Sequence, residues 1–199
     1  NDSLTVTITG DSDAVPLYGD AVTMSANAQG GNDVLKAITS SSGDTVSLFG
    51  DAGTMNGSVH GGNDIIIGSA GNDSLYGDAQ TYSPSSSGSI TGGTDKLTGG
   101  AGDDQLWGGP NNDSFIFKTG SGNDTINDFD KGNAAVGSSA AEHDIMLIQG
   151  YGYANWTTLQ SHVADNGAGD AVIHLTSSDS ITLIGVKTVD LHSTDFAFA

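Results

Sequence analysis

The stretch that decides the fold runs from Gly92 to Asp124 and reads GGTDKLTGGAGDDQLWGGPNNDSFIFKTGSGND. Within it Asp95, Asp104 and Asp113 stand nine residues apart, and Asp124 follows after eleven. Two residues beyond each comes a large apolar side chain: Leu97, Leu106, Phe115 and Ile126. Upstream, Asp64 and Asp73 keep the nine-residue step, with Ile66 and Leu75 at the same offset. A longer period lies over the short one. Asn-Asp or Thr-Asp pairs end at Asp2, Asp33, Asp64 and Asp95, 31 residues apart each time. Between them recurs Leu17-Tyr18-Gly19-Asp20-Ala21, then Leu48-Phe49-Gly50-Asp51-Ala52, then Leu75-Tyr76-Gly77-Asp78-Ala79. At Val15 and Val46 the acid is lost, yet Leu17 and Leu48 keep the apolar position.

This periodicity overrides what composition alone implies. The chain has 199 residues, 30 of them Gly, with 24 acids against 5 basic residues and a formal charge of −19. All acids but Glu142 are Asp, and all five basic residues are Lys. High charge with 36% hydrophobic residues would ordinarily mean disorder. A disordered tract has no reason to fix one apolar residue at a constant offset from Asp. Helical bundles are disfavoured by so much Gly and Asp. Nucleic acid is disfavoured as a partner, because an acidic chain repels phosphate. No apolar run approaches the roughly 18 residues of a membrane span. With no Cys, neither disulfides nor thiolate metal sites enter. The chain starts without Met and without a signal peptide, and reads as a piece of something longer.

The pattern is the nonapeptide Gly-Gly-x-Gly-x-Asp-x-U-x, with U a large apolar residue. The chain resembles the RTX (repeats-in-toxin) family of secreted bacterial proteins. The expected fold is all-β: a right-handed parallel β-roll, or β-solenoid, of Gly/Asp-rich nonapeptides. It carries long loop insertions and ends in a small cap of strands and one short helix. Each nonamer supplies a tight Gly-rich turn and a short strand. Only the central strand residue points inward, because side chains alternate across a strand. Two nonamers make a coil of about 18 residues, and stacked coils bring like turns about 4.8 Å apart.

Stacking places Asp over Asp, and like charges at that distance need a cation between them. Ca²⁺ suits the site, since it takes several carboxylate and carbonyl oxygens in tolerant geometry. One edge is expected to carry Asp2, Asp33, Asp64, Asp95 and Asp113. The other carries Val15, Val46, Asp73, Asp104 and Asp124, so its first two turns are expected to lack ordinary sites, with Asp44 a partial substitute. Gly-rich turns at Gly30, Gly61, Gly71, Gly92, Gly100, Gly102 and Gly109 offer backbone carbonyls. Asp20, Asp51 and Asp78 are read as additional ligands, against the alternative of Asx-turns that only shape the loops. The 31-residue unit is a coil plus 13 inserted residues, and its constant length predicts that the loops pack on one another.

The expected division is a calcium-binding roll over 1–127 and a cap with a secretion signal over 128–199. A linker of small residues covers 132–141. Asp144–Ile148 reads as a strand and residues 155–163 as a helix capped by Asn155. Ala171–Leu175 and Ile181–Ile184 read as a hairpin. The resemblance matches Asp124-Thr-Ile-Asn-Asp128-Phe and Asp144-Ile-Met-Leu147 to the family cap, which makes Asp128 and Asp144 further candidate ligands. The ending Asp195-Phe-Ala-Phe-Ala199 is similar to a type I secretion signal, with an ordinary terminal strand as the alternative.

Five scattered histidines form no His-Glu-x-x-His motif, and no Gly-x-Ser-x-Gly elbow is present. The leading reading is therefore a non-catalytic module that folds on extracellular Ca²⁺ and serves type I secretion and stability of a larger protein. The resemblance implies that such modules follow protease, lipase or alginate epimerase domains. The alternative is a carbohydrate-binding or adhesive module that uses the loops 20–30, 51–61 and 78–92 and the aromatics Tyr18, Phe49, Tyr76, Tyr82 and Trp107. A part of a polysaccharide-modifying enzyme is the third reading.

Overall fold

The computed structural model describes residues 1–9, 14–39, 41–85 and 89–199. It is a parallel β-solenoid. One sheet stacks Ser3–Ile8, Val34–Thr39, Ile65–Ile67, Lys96–Thr98, Ser114–Lys118, Ile145–Gln149 and Phe196–Phe198, all parallel. The facing sheet stacks Ala14–Tyr18, Thr45–Phe49, Ser74–Tyr76, Gln105–Trp107, Asn123–Ile126 and Ser180–Leu183, also parallel. Ala171–His174 and Val163–Asp165 close that sheet in antiparallel sense.

The register follows from the apolar offset. In the first sheet Leu4, Leu35, Ile66, Leu97, Phe115, Met146 and Phe196 lie one above another. In the second, Leu17, Leu48, Leu75, Leu106, Ile126 and Leu183 do the same. The middle members are wholly buried between the sheets. A slip of one residue would turn every one of them outward, so the pattern pins the register.

The inserted residues make a layer of their own, as their constant length predicted. Ala21–Ser25, Ala52–Gly57 and Ala79–Pro84 form a three-stranded parallel sheet, and Val59–His60 pairs with Ile90–Thr91. Met24, Met55, Val59 and Ile90 bury themselves beneath it in a second, smaller core. Residues 86–88 of the loop 78–92 lie outside the described residues.

Val34–Thr39 is six residues long and turns Ala37 inward as well as Leu35. The aromatics after the inward residues stack on each other. Tyr18, Phe49, Tyr76 and Trp107 form a column with ring centroids 4.8, 4.8 and 4.5 Å apart.

Beyond Ile126 the solenoid goes on where no nonapeptide is recognisable. Asp144 sits 31 residues after Asp113, and Ser114–Lys118 pairs with Ile145–Gln149 in register. The helix expected over 155–163 is shorter. Asn155 does cap it, accepting from the Thr158 amide at 3.1 Å, but the helix ends at Leu159 and runs through a 3₁₀ turn to His162. Val163 instead begins a strand opposite Ile173, where its β-branched side chain packs against the core. The expected linker holds one helical turn at Gly132–Ala135, with buried Asn133 donating its amide to the Glu142 carboxylate at 2.8 Å. No helix among the described residues is long and apolar enough to cross a membrane.

Candidate metal centre

Each ladder Asp except Asp124, the second residue of the strand Asn123–Ile126, sits just before a strand, where the tight turn aims its side chain along the stacking axis. One carboxylate oxygen reaches back to the preceding coil. On the first edge the amides of Asp33, Asp64, Asp95 and Asp113 donate to Oδ1 of Asp64, Asp95, Asp113 and Asp144 at 2.7, 2.7, 2.8 and 2.8 Å. Asp2, exposed at the first coil, donates in the same way to Asp33 at 2.5 Å. On the second edge Val46, Asp73 and Asp104 donate to Asp73, Asp104 and Asp124 at 2.9, 2.8 and 3.0 Å. The edges are those expected from the sequence. Val46 keeps its place in the stack without a carboxylate, and Asp44 is buried two residues before it.

The neighbouring asparagines clamp the coils in the opposite direction. Asn1, Asn32 and Asn63 accept from the amides of Asn32, Asn63 and Thr94 of the following coil at 2.7, 2.9 and 2.7 Å. Their recurrence before Asp was visible in the sequence; their role was not.

The second oxygen of the ladder Asp is the informative atom. Oδ2 of Asp33, Asp64, Asp95, Asp104 and Asp113 is buried and has no hydrogen-bond partner. So is Oδ2 of Asp51 and Asp78. A buried carboxylate without a compensating charge is costly, so these oxygens call for a cation or a proton. Their surroundings are oxygen-lined hollows that only Gly can border. A Cβ on Gly50 would run into the Gly77 carbonyl and Asp64 Oδ2; on Gly77, into the Gly108 carbonyl and Asp95 Oδ2. On Gly108 it would meet Asp113 Oδ2, and on Gly99 Asp104 Oδ2. Gly100 and Gly102, at φ +117° and +116°, turn the second edge and abut the Ser69 and Gly71 carbonyls.

Asp20, Asp51 and Asp78 hold the inserted loops shut. Each accepts an amide from the far end of its loop: Gly31, Gly62 and Gly93, at 2.8, 2.9 and 2.8 Å. Asp20 is exposed, whereas Asp51 and Asp78 are buried and keep Oδ2 for the interior. A Cβ on Gly61 would strike both Asp78 and Asp51; on Gly92 and Gly109, Asp78 Oδ2. On Gly30 it would strike Asp51, and on Gly71 the Asp44 carbonyl. The Asx-turn reading and the ligand reading therefore use different oxygens of the same side chains. Asp128 and Asp144 have both oxygens engaged by amides, of Gly108 and Gly109 and of Asp113 and Asp130.

Burial, with neighbouring carboxylates adding to it, pushes these acids up from 3.8. Asp64 and Asp124 rise to about 7, Asp51, Asp104 and Asp144 to about 8, and Asp113 to about 11. Asp78 and Asp95, the most enclosed, are raised well above 3.8. The donor set is all oxygen, from carboxylates and peptide carbonyls, which is the chemistry of a hard divalent ion.

The aromatic column leaves little for a sugar. Both faces of Phe49 and Tyr76 are covered by neighbouring rings, and both residues are buried. Tyr82 lies under the loop sheet with its hydroxyl 3.3 Å from the Ala79 amide.

Among solved structures, the extracellular lipase LipA from Serratia marcescens is similar over 96% of this chain and 40% of its own length. The identity is 15% and the TM-score 0.40. No curated protein matches significantly. The model for the RTX calcium-binding nonapeptide repeat matches four copies, at residues 60–81 and 89–126. The stretches it matches include Asp64, Asp73, Asp95, Asp104, Asp113 and Asp124 of the two ladders, so residues 60–81 and 89–126 are similar to RTX calcium-binding nonapeptide repeats.

Proposed function

We propose that this chain is a non-catalytic module that folds as Ca²⁺ enters its Asp ladders, in the extracellular medium to which a type I machinery exports it. The observation that carries this reading is the row of buried, unpartnered Oδ2 atoms. Asp33, Asp64, Asp95 and Asp113 would hold ions on one edge, and Asp73, Asp104 and Asp124 on the other, with the Gly-turn carbonyls completing them. Asp51 and Asp78 would tie the inserted loops to the first edge. Bound Ca²⁺ supplies the positive charge that lets these carboxylates stack. The part after residue 127, whose strands extend both sheets, is read as closing the C-terminal end of the solenoid, and its terminal strand as the recognition segment for export.

Extracellular calcium sites typically have Kd of 10⁻⁴–10⁻³ M. At ~1 mM Ca²⁺ and Kd ~0.1 mM, each adds about 1.4 kcal/mol. Several together rival the whole stability of a domain, about 5–15 kcal/mol. At submicromolar Ca²⁺ the contribution vanishes and repulsion among the acids remains. The test is calorimetric titration of Ca²⁺ into chelator-stripped protein, with far-ultraviolet circular dichroism on the same samples. Several ions bound together with a gain of β-structure are expected; no binding at millimolar Ca²⁺, or an unchanged spectrum, would sink the reading.

The raised acids add a pH signature. In the metal-free fold they bind protons that the unfolded chain releases near pH 4. The metal-free fold therefore loses stability as pH rises from about 4 through 8. With Ca²⁺ present, protons compete for the same oxygens, and stability falls as pH is lowered. Between pH 8 and pH 5, order read by circular dichroism in chelator should rise as pH falls, while stability in Ca²⁺ should fall. Slopes of one sign would mean that these carboxylates are not the sites.

A further inference from the structure

Asp130, His143 and Asp195 come together at the C-terminal end of the solenoid, outside the Asp ladders. One ligand atom from each lies within 4.8 Å of the others. His143 precedes the strand Ile145–Gln149, and Asp195 precedes Phe196–Phe198, the last strand of the same sheet. Asp130 stands in the turn after Phe129 with φ +54°, a left-handed conformation that a non-Gly residue adopts at some cost. That turn is fixed by two reciprocal bonds: the Asp144 amide donates to Asp130 Oδ1 at 2.6 Å, and the Asp130 amide to Asp144 Oδ2 at 2.8 Å.

The imidazole is already oriented. Its Nε2 lies 3.2 Å from the Thr194 carbonyl, which can only accept, so a hydrogen bond there requires the proton on Nε2 and leaves Nδ1 for a ligand. Nδ1 then faces Asp195 Oδ1 at 3.8 Å, too far for a direct hydrogen bond. Asp195 is a buried carboxylate, with a side chain only 5% exposed, and His143 is 44% exposed, open to an ion from solvent. A carbonyl that fixes the tautomer of a ligating imidazole is the usual outer partner of a protein metal site.

We propose that Asp130, His143 and Asp195 bind one borderline divalent ion, of which Zn²⁺ is the natural probe, and that the ion clips the C-terminal strand to the coils. The nitrogen donor separates this site from the all-oxygen ladders. Imidazole with carboxylates suits zinc, nickel or cobalt rather than calcium. Three protein ligands would leave a further position for water. The inference does not depend on the ladders holding Ca²⁺.

The test is a Zn²⁺ titration of the whole chain in millimolar Ca²⁺, for wild type, His143→Ala, Asp130→Asn and the exposed control His174→Ala. One Zn²⁺ per chain is expected, unaffected by Ca²⁺ and weakened at least tenfold by His143→Ala and by Asp130→Asn, with His174→Ala unchanged. Zn²⁺ should also raise the melting temperature of wild type but not of His143→Ala. Because His143 is partly exposed, its loss should leave the Ca²⁺-dependent circular dichroism intact, which separates this site from the ladders. Absence of a Zn²⁺ site, indifference to His143→Ala, or displacement of Zn²⁺ by Ca²⁺ would each overturn the proposal.

Discussion

Asp95→Asn is expected to weaken Ca²⁺ binding on its edge at least tenfold, about 1.4 kcal/mol, while leaving the metal-free chain no less ordered. Asp95 sits at the centre of the best-formed ladder. Its Oδ1 accepts from Asp64 at 2.7 Å, its amide donates to Asp113 at 2.8 Å, and its Oδ2 is buried without a partner. Asparagine keeps the accepting oxygen, so the coil-to-coil bond survives. It replaces the charged oxygen with an NH₂ group beside Gly77, near the Gly108 carbonyl, where it can donate. The same change therefore acts with opposite sign in two states. Without metal it removes the cost of burying an acid next to Asp64; with metal it removes a ligand. Asp103→Asn is the control, because Asp103 is exposed and its carboxylate accepts from the Asn123 amide at 2.8 Å and the Asn123 side chain at 3.2 Å. Equal calcium affinities for the two variants would mean that Asp95 is not a ligand, whatever happens to their stability.

The ladders were legible because their logic is one of spacing. Asp95 and Leu97 lie two residues apart in the chain and do different work on the two sides of one turn, and repetition makes that visible. Asp144 was harder, since its coil has no glycine pair before it; the resemblance to the family cap singled it out, and its place in the ladder, 31 residues after Asp113, shows only in the stacked coils. The loop sheet was half legible. Constant length implied mutual packing, but nothing in Ala-Val-Thr-Met-Ser shows that Met24 lies against Met55 rather than under the main core. The aromatic column was visible as a set of positions, and its self-stacking follows only once the coils are in register. The His143–Asp195 pair was not legible at all. The two residues are 52 apart, and what brings them together is the pairing of Phe196–Phe198 with the strand after His143. The strand at Val163 was not legible either, because apolar residues at helical spacing do not reveal that Ile173 pairs with it.

Packing of coil on coil sets the second large effect. Gly62→Ala is expected to cost roughly 3 kcal/mol or more, and to lower calcium affinity as well, whereas Gly57→Ala should cost only about 1–2 kcal/mol. Gly57 has φ +84°, so alanine there is conformationally strained, but its Cβ would enter open space. Gly62 is the reverse case. A Cβ there would run into the carbonyl oxygen of Gly31 on the preceding coil and lie 3.2 Å from the Asn32 amide. Neither neighbour can yield alone. The Asn32 amide donates to Asn1 at 2.7 Å, and Asp33, the next residue, donates to Asp64 at 2.7 Å. Relief would require the coils to part, and parting them opens the oxygen cluster formed by Asp33, Asp64 and the Gly turns. Gly93 meets the Gly62 carbonyl in the same way one coil later, so Gly93→Ala should behave like Gly62→Ala. Melting temperatures in saturating Ca²⁺ would rank the variants. A fall of about 10 °C is expected for Gly62→Ala and of a few degrees for Gly57→Ala. The opposite order would mean that backbone strain, not the close stacking of the turns, limits what these glycines can become.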